Sequence, residues 1–139
     1  MVEYRKLELE TNKLDDIINL YNDAGWTNYT KNIDHLIQGL NNSLETIGAY
    51  HQNKLVGLIR IIGDSYTIIY IQDILVLKTY QNQDIGTNLL EMILSKYKQV
   101  RQIILLTDNK ENLVNFYQKS NMVDCNKIGL ICFAKHNNE

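Results

Sequence analysis

Proline is absent from the chain, which removes one kind of structural punctuation, and several other shortages bound what the protein can be. No apolar run reaches the roughly 20 residues that a membrane-spanning helix needs. The 14 Lys and Arg and 16 Asp and Glu are mixed along the whole sequence for a net charge of −2, so the basic block of a nucleic-acid binder is missing. The N-terminal "MVEYRKLELE" is charged and lacks the apolar core of a signal peptide. Only two cysteines occur, Cys125 and Cys132, and His35, His51 and His136 stand singly, none at a ligand spacing from a cysteine. No metal site is expected, and reduced thiols in a cytoplasmic protein are. Cys132, inside "IGLICFA", is expected to pack as a small hydrophobe.

What is present fits one domain over residues 1–139. A chain of this length buries about two thirds of its unfolded surface. "VEYRKLEL" alternates as a first strand. Thr11 or Asn12 can cap a helix with Asp15 and Asp16 in its first turn and Leu14, Ile17, Ile18 and Tyr21 on its inner stripe. "DAGWTNYT" reads as a loop, and a second helix runs from about Lys31 to Leu40 with Thr30 as its cap. "LETIGAYH" and "KLVGLIRIIG" are strands joined at Gln52 and Asn53. A turn at Gly63–Ser65 leads into "YTIIYIQDILVL". That run is apolar at both parities, as in a central strand covered on both faces, and Tyr50, Tyr66 and Tyr70 are expected to pack on the sheet. A helix from Ile85 to Tyr97, the strand "RQIILLT", a helix from Lys110 or Glu111 to Lys119, and the strands "MVDCN" and "IGLICFAK" complete the chain. The fold class is a mixed α/β domain, β-α-α-β-β-β-α-β-α-β-β, with one right-handed parallel crossover at its centre.

The stretch "VLKTYQNQDIGTNLLEMIL", Val76–Leu94, puts a polar, glycine-containing elbow between a buried strand and an amphipathic helix. The first turn of that helix has free N–H groups and the positive end of the dipole, a good phosphate site. Gly86 lets a ligand approach without a Cβ in the way. On the residues alone, a junction glycine serves packing as readily as phosphate binding.

The elbow resembles the cofactor-binding segment of the GNAT superfamily of N-acetyltransferases, whose pattern is Gln or Arg, two residues, Gly, one residue, then Gly or Ala. Gln81 and Gly86 match, while Asp84 stands where the family prefers glycine. The element order is also that of the superfamily, and "TDNKENLVNFYQKSNMV" resembles its late helix with an aromatic–tyrosine pair, Phe116–Tyr117, although Asn121-Met122 replaces the usual Gly-Phe. The resemblance implies an acetyl-CoA-dependent N-acetyltransferase acting on a primary amine of a small molecule or protein. Backbone amides of Gln81, Asn82, Gln83, Asp84, Ile85, Gly86 and Thr87 would wrap the diphosphate, with Asp84 capping the helix and pointing to solvent. The main chain of Ile74, Leu75 and Val76 would face the thioester where the central strand splays from its parallel neighbour, and Asn112 would contact the pantetheine arm.

Acetyl transfer needs an amine base, an oxyanion site and an acid for the departing thiolate. Tyr117 is the candidate acid. Asp73 interrupts the apolar strand and is the candidate base, or equally a hydrogen-bond acceptor fixing its neighbourhood; because side chains alternate, only one of Gln72 and Asp73 should face the cofactor side. Trp26 and Tyr29, in a loop, are candidates for binding the acceptor or for a hydrophobic lid. Homodimers are common in the superfamily, and the C-terminal strands could build one. A non-catalytic module that binds a CoA species or a protein partner is the alternative. A nucleotide-phosphate binder ranks last, since neither a P-loop nor a dinucleotide fingerprint is present.

Overall fold

A computed structural model describes residues 1–10 and 14–137. They divide into two compact units, Met1–Leu106 and Thr107–Glu139. The expected cap at Thr11 or Asn12 lies outside the described residues.

In the first unit, β1 (Val2–Lys6), β2 (Glu45–His51), β3 (Lys54–Gly63), β4 (Ile68–Val76) and β5 (Gln102–Leu105) form one sheet in the order β1-β2-β3-β4-β5. The first three pairings are antiparallel and the last, β4 with β5, is parallel. The β2–β3 turn works without proline because Gln52 and Asn53 take positive φ, 51° and 64°, the geometry of a two-residue hairpin. Helix α1 (Leu14–Asp23), one turn α2 (Thr27–Thr30) and α3 (Ile33–Asn41) connect β1 to β2, and α4 (Ile85–Lys96) crosses from β4 to β5. The segment read as a loop thus contains the turn α2. The next helix starts two residues later than expected, because Asn32 rather than Thr30 caps it, accepting from the His35 N–H at 3.2 Å.

The helices cover both faces. A Cβ on Gly39 of α3 would meet Arg60, whereas one on Gly57 would meet Ile85 of α4. Residues three apart on a strand point to opposite faces. The strand covered on both sides is therefore β3, the middle of the five, buried from Leu55 through Ile61; β4 alternates buried with half-buried positions. Ile85, Leu89, Leu90 and Ile93 of α4 are fully buried, each contributing about 1.5–3 kcal/mol by leaving water. Tyr66 is the exception among the sheet tyrosines expected to be packed. It is 81% exposed because it sits in the β3–β4 turn that Asp64 organises by accepting from the N–H groups of Tyr66, Thr67 and Ile68.

In the second unit, α5 (Glu111–Lys119) ends in a Schellman motif: Met122 N–H donates to the Tyr117 carbonyl at 3.2 Å and Asn121 N–H to that of Gln118 at 3.0 Å, with Asn121 at φ 65°. The two expected C-terminal strands are not formed among the described residues. A 3₁₀ turn spans Cys125–Ile128, started by the Asp124 carboxylate accepting from the Asn126 N–H and stopped by Gly129 at φ 79°. These local bonds break the extended backbone that the apolar pattern suggested. Cys132, expected to be packed, is exposed.

Candidate active site

The elbow after β4 is held in shape by its neighbours. Lys78 N–H donates to Asp23 Oδ2 at 2.8 Å, Gln81 Nε2 to the Val76 carbonyl at 3.2 Å, and Tyr80 Oη lies 2.8 Å from His51 Nδ1. Asn82 and Asp84 both take left-handed backbone, φ 65° and 64°. Asp84 occupies the position before α4, and its carbonyl accepts from Asn88 N–H at 2.9 Å, but its carboxylate caps nothing. The expected side-chain cap fails because capping needs extended backbone at that residue. The exposed carboxylate does point away from the core. The same φ explains why glycine suits this place and why Asp, tolerant of left-handed backbone, can stand in. With no side-chain cap, the first-turn N–H groups of Ile85, Gly86 and Thr87 are left for a ligand.

Just before the elbow, the sheet opens. The β4–β5 ladder runs from Ile68↔Gln102 to Ile71↔Leu105, so among the described residues no strand pairs with Gln72 through Val76 on that side. On the other side Leu77 N–H donates to the Val56 carbonyl at 2.9 Å. Alternation along the strand then turns the N–H groups of Ile74 and Val76 away from β3, toward the opened side. Of the three residues expected to offer their main chain there, Leu75 instead turns its N–H toward β3.

Asp73 lies on the face covered by α1 and α3 and is 1% exposed. Its Oδ2 accepts from Arg60 Nε at 2.6 Å and from the Tyr21 hydroxyl at 2.7 Å, and its Oδ1 from the Tyr29 hydroxyl at 3.1 Å. Burial works against the Arg60 guanidinium, but Asp73 outweighs it and holds the group more firmly protonated. Burial, then the Asp73 charge, raises the Tyr21 phenol far above its usual range and raises that of Tyr29. With both oxygens engaged, Asp73 fits the role of a fixed acceptor better than that of a base. Gln72 Nε2 also donates to the Tyr29 hydroxyl, at 2.8 Å. Adjacent strand residues were expected to diverge; here both reach one atom. The cause is a β-bulge: Arg60 pairs with Asp73 and Ile61 with Ile71, so Gln72 is an extra residue on β4.

Arg60 and Tyr21 were not legible as site residues. The signal available was one charge in each of two neighbouring apolar strands, Arg60 in "GLIRII" and Asp73 in "YIQDIL". Trp26 and Tyr29 do come together, with ring centroids 6.0 Å apart, and Tyr21 stacks behind Tyr29 at 5.1 Å. Trp26 remains 36% exposed.

In the second unit, Asn112 is exposed in the first turn of α5. Tyr117 is half-buried, edge-on to Phe116 at 5.0 Å, with a hydrogen bond to Thr107. Burial pushes its phenol up to about 12, against the opposing effect of the Thr107 bond. No group of three or more His, Cys, Asp or Glu side chains able to hold a metal occurs among the described residues.

Residues 9–128 match the acetyltransferase (GNAT) domain family, a span that crosses the boundary between the two units. No curated protein matches. Among solved structures, a GNAT-family acetyltransferase from Streptococcus pneumoniae is 33% identical, with all of both chains covered and a TM-score of 0.87. A GNAT acetyltransferase from Elizabethkingia anophelis with acetyl-CoA bound shares the fold at 19% identity, TM-score 0.65, covering 86% of this chain and 74% of the other. So does an aminoglycoside acetyltransferase from an uncultured soil metagenomic sample in complex with sisomicin, at 19% identity, TM-score 0.70, covering 99% and 97%. With its uncapped elbow, its opened parallel pair and this match over most of its length, the chain belongs to the GNAT acetyltransferase family.

Proposed function

We propose that the protein transfers an acetyl group from acetyl-CoA to a primary amine, the two units acting as one domain. The observation that carries this reading is the elbow: left-handed backbone at Asn82 and Asp84 leads into α4, whose first-turn N–H groups have no side-chain cap, the kind of helix start that suits a diphosphate. The acetyl-CoA-bound relative supports the choice of donor. The sisomicin-bound one supports an amine as acceptor.

In this reading the amides of Asn82–Thr87 bind the diphosphate and Asn112 the pantetheine arm; the Gln81 N–H, expected among them, is taken by the Lys78 carbonyl at 3.3 Å. The thioester carbonyl lies against the N–H groups of Ile74 and Val76, with Leu75 between them. The neutral amine attacks the carbonyl carbon; the C–N bond forms as the oxygen takes the negative charge that these amides stabilise. Loss of one such donor costs about 10²–10³ in rate. The intermediate collapses with cleavage of the C–S bond, Tyr117 gives its proton to the departing thiolate, and the amine proton leaves through water. Asp73 is a positioning residue, since its oxygens are already engaged. Trp26 and Tyr29 wall the acceptor. A homodimer is compatible with this reading.

Titration calorimetry with acetyl-CoA and chromatographic measurement of CoA release in the presence of amines test it. Association with acetyl-CoA and amine-dependent release are expected. Association without release from any amine favours a non-catalytic module, and no association defeats the reading.

A further inference from the structure

The Tyr29 hydroxyl is held far more elaborately than a lid residue needs. It gives its one proton to Asp73 Oδ1 and accepts from Gln72 Nε2. A phenol oxygen has two lone pairs, so one stays open. Beside it, the Gln72 Oε1 has no hydrogen-bond partner among the described residues. Both atoms are acceptors. The charges beneath them cancel, since Asp73 is paired with Arg60 at 2.6 Å, and Arg60 is itself steadied by a 3.3 Å bond from Nη1 to Ser43 Oγ. Tyr21 supplies a second donor to the same carboxylate. Gln72 would not join these contacts without the extra residue in β4, because an unbulged strand would send it to the other face. The bulged Gln72 lies two residues before Ile74, whose N–H faces the opened side of the sheet.

We propose that the β4 bulge and the Arg60–Asp73 pair serve to position the Tyr29 hydroxyl, and that Tyr29 and Gln72 together form the specificity-determining contact that reads the N–H groups of a primary amine acceptor. The proposal rests on the acetyl-transfer reading above and deepens it by naming the acceptor contact. Two neutral acceptors over a compensated ion pair suit an amine that offers two N–H donors. A hydroxyl or thiol, which has one, can satisfy only one of the two acceptors. Donation from Tyr29 into the carboxylate polarises the phenol oxygen and makes its free lone pair the stronger acceptor. Arg60, Asp73 and Tyr21 touch no substrate in this scheme; they act through Tyr29.

The test uses the full chain with acetyl-CoA and three probe amines, tyramine, spermidine and sisomicin, with released CoA measured chromatographically, because the exposed Cys125 and Cys132 would react with a thiol reagent. Tyr29→Phe keeps the ring and removes the hydroxyl; Gln72→Leu keeps the volume and removes the amide. Each is expected to raise KM for the accepted amine by about 10-fold or more while kcat and KM for acetyl-CoA stay within about twofold. The double variant is expected to be less than additively worse, since the two side chains are hydrogen-bonded to each other and hold one another in place. Unchanged amine KM in both single variants, additive losses, or a parallel rise in KM for acetyl-CoA overturns the proposal. Wild-type protein that binds acetyl-CoA yet acetylates none of the three amines overturns it too, whereas failure to bind acetyl-CoA is the separate failure of the reading beneath it.

Discussion

Arg60 and Asp73 sit directly across the β3–β4 ladder from each other, and their 2.6 Å ion pair is buried under α1 and α3. Breaking such a pair leaves an uncompensated charge in the core. Arg60→Met or Asp73→Asn is therefore expected to cost about 3–5 kcal/mol, roughly 10–20 °C in Tm by differential scanning calorimetry. Replacing both by apolar residues is expected to recover much of the loss.

Asp84 puts a negative charge on the elbow without capping the helix. Asp84→Gly is expected to tighten acetyl-CoA binding about 3–10-fold by calorimetry, the order of one exposed charge contact, with little change in Tm. Asp84→Val is expected to lower stability by about 1–2 kcal/mol instead, because a β-branched residue is poorly tolerated at φ 64°.

Tyr117 is pushed up to about 12 and so remains protonated throughout the working range of the protein. Tyr117→Phe is expected to lower kcat about 10²–10³-fold, with KM for acetyl-CoA little changed. A folded-state value raised above the unfolded one adds stability below pH ~10, and that contribution is lost as pH rises through about 12. Tyr117→Phe should flatten the alkaline fall in Tm accordingly.

Glu45 ties β2 to the end of α4, accepting from Lys96 Nζ at 2.9 Å and from the Tyr97 hydroxyl at 2.6 Å. Burial raises its carboxyl, but these bonds outweigh it and the net shift is downward. Its contribution is present above the ordinary carboxylate range and lost as pH falls through the lowered value. Glu45→Gln is expected to cost about 0.5–1 kcal/mol at neutral pH and almost nothing at the acid end, as read by urea denaturation.

The parts of the fold governed by local chemistry were legible. Ile85, Leu89, Leu90 and Ile93 announce α4 by spacing, and the turns at Gln52-Asn53 and Asn121 take the left-handed backbone their residue types allow. What depended on pairing was not. The bulge at Gln72 is set by where β3 registers against β4, and no property of "YIQDIL" alone gives it. The last two strands failed for the converse reason: "IGLICFAK" has strand character, but the local turn from Asp124 to Gly129 takes in its first two residues. At the site, the elbow was readable because glycine, glutamine and a helix start lie close in sequence. The Tyr21–Tyr29–Arg60–Asp73 cluster joins residues up to 52 apart, which only the folded chain brings together.

The bond from Lys78 N–H to Asp23 Oδ2 fastens the first residue of the elbow turn to the end of the helix that leads into Trp26 and Tyr29. A ligand that stiffens one end of this tether stiffens the other. On the proposed function, the coenzyme at the elbow would steady the segment carrying Trp26 and Tyr29, and hydrogen exchange at Ala24–Tyr29 is expected to slow when acetyl-CoA alone is added.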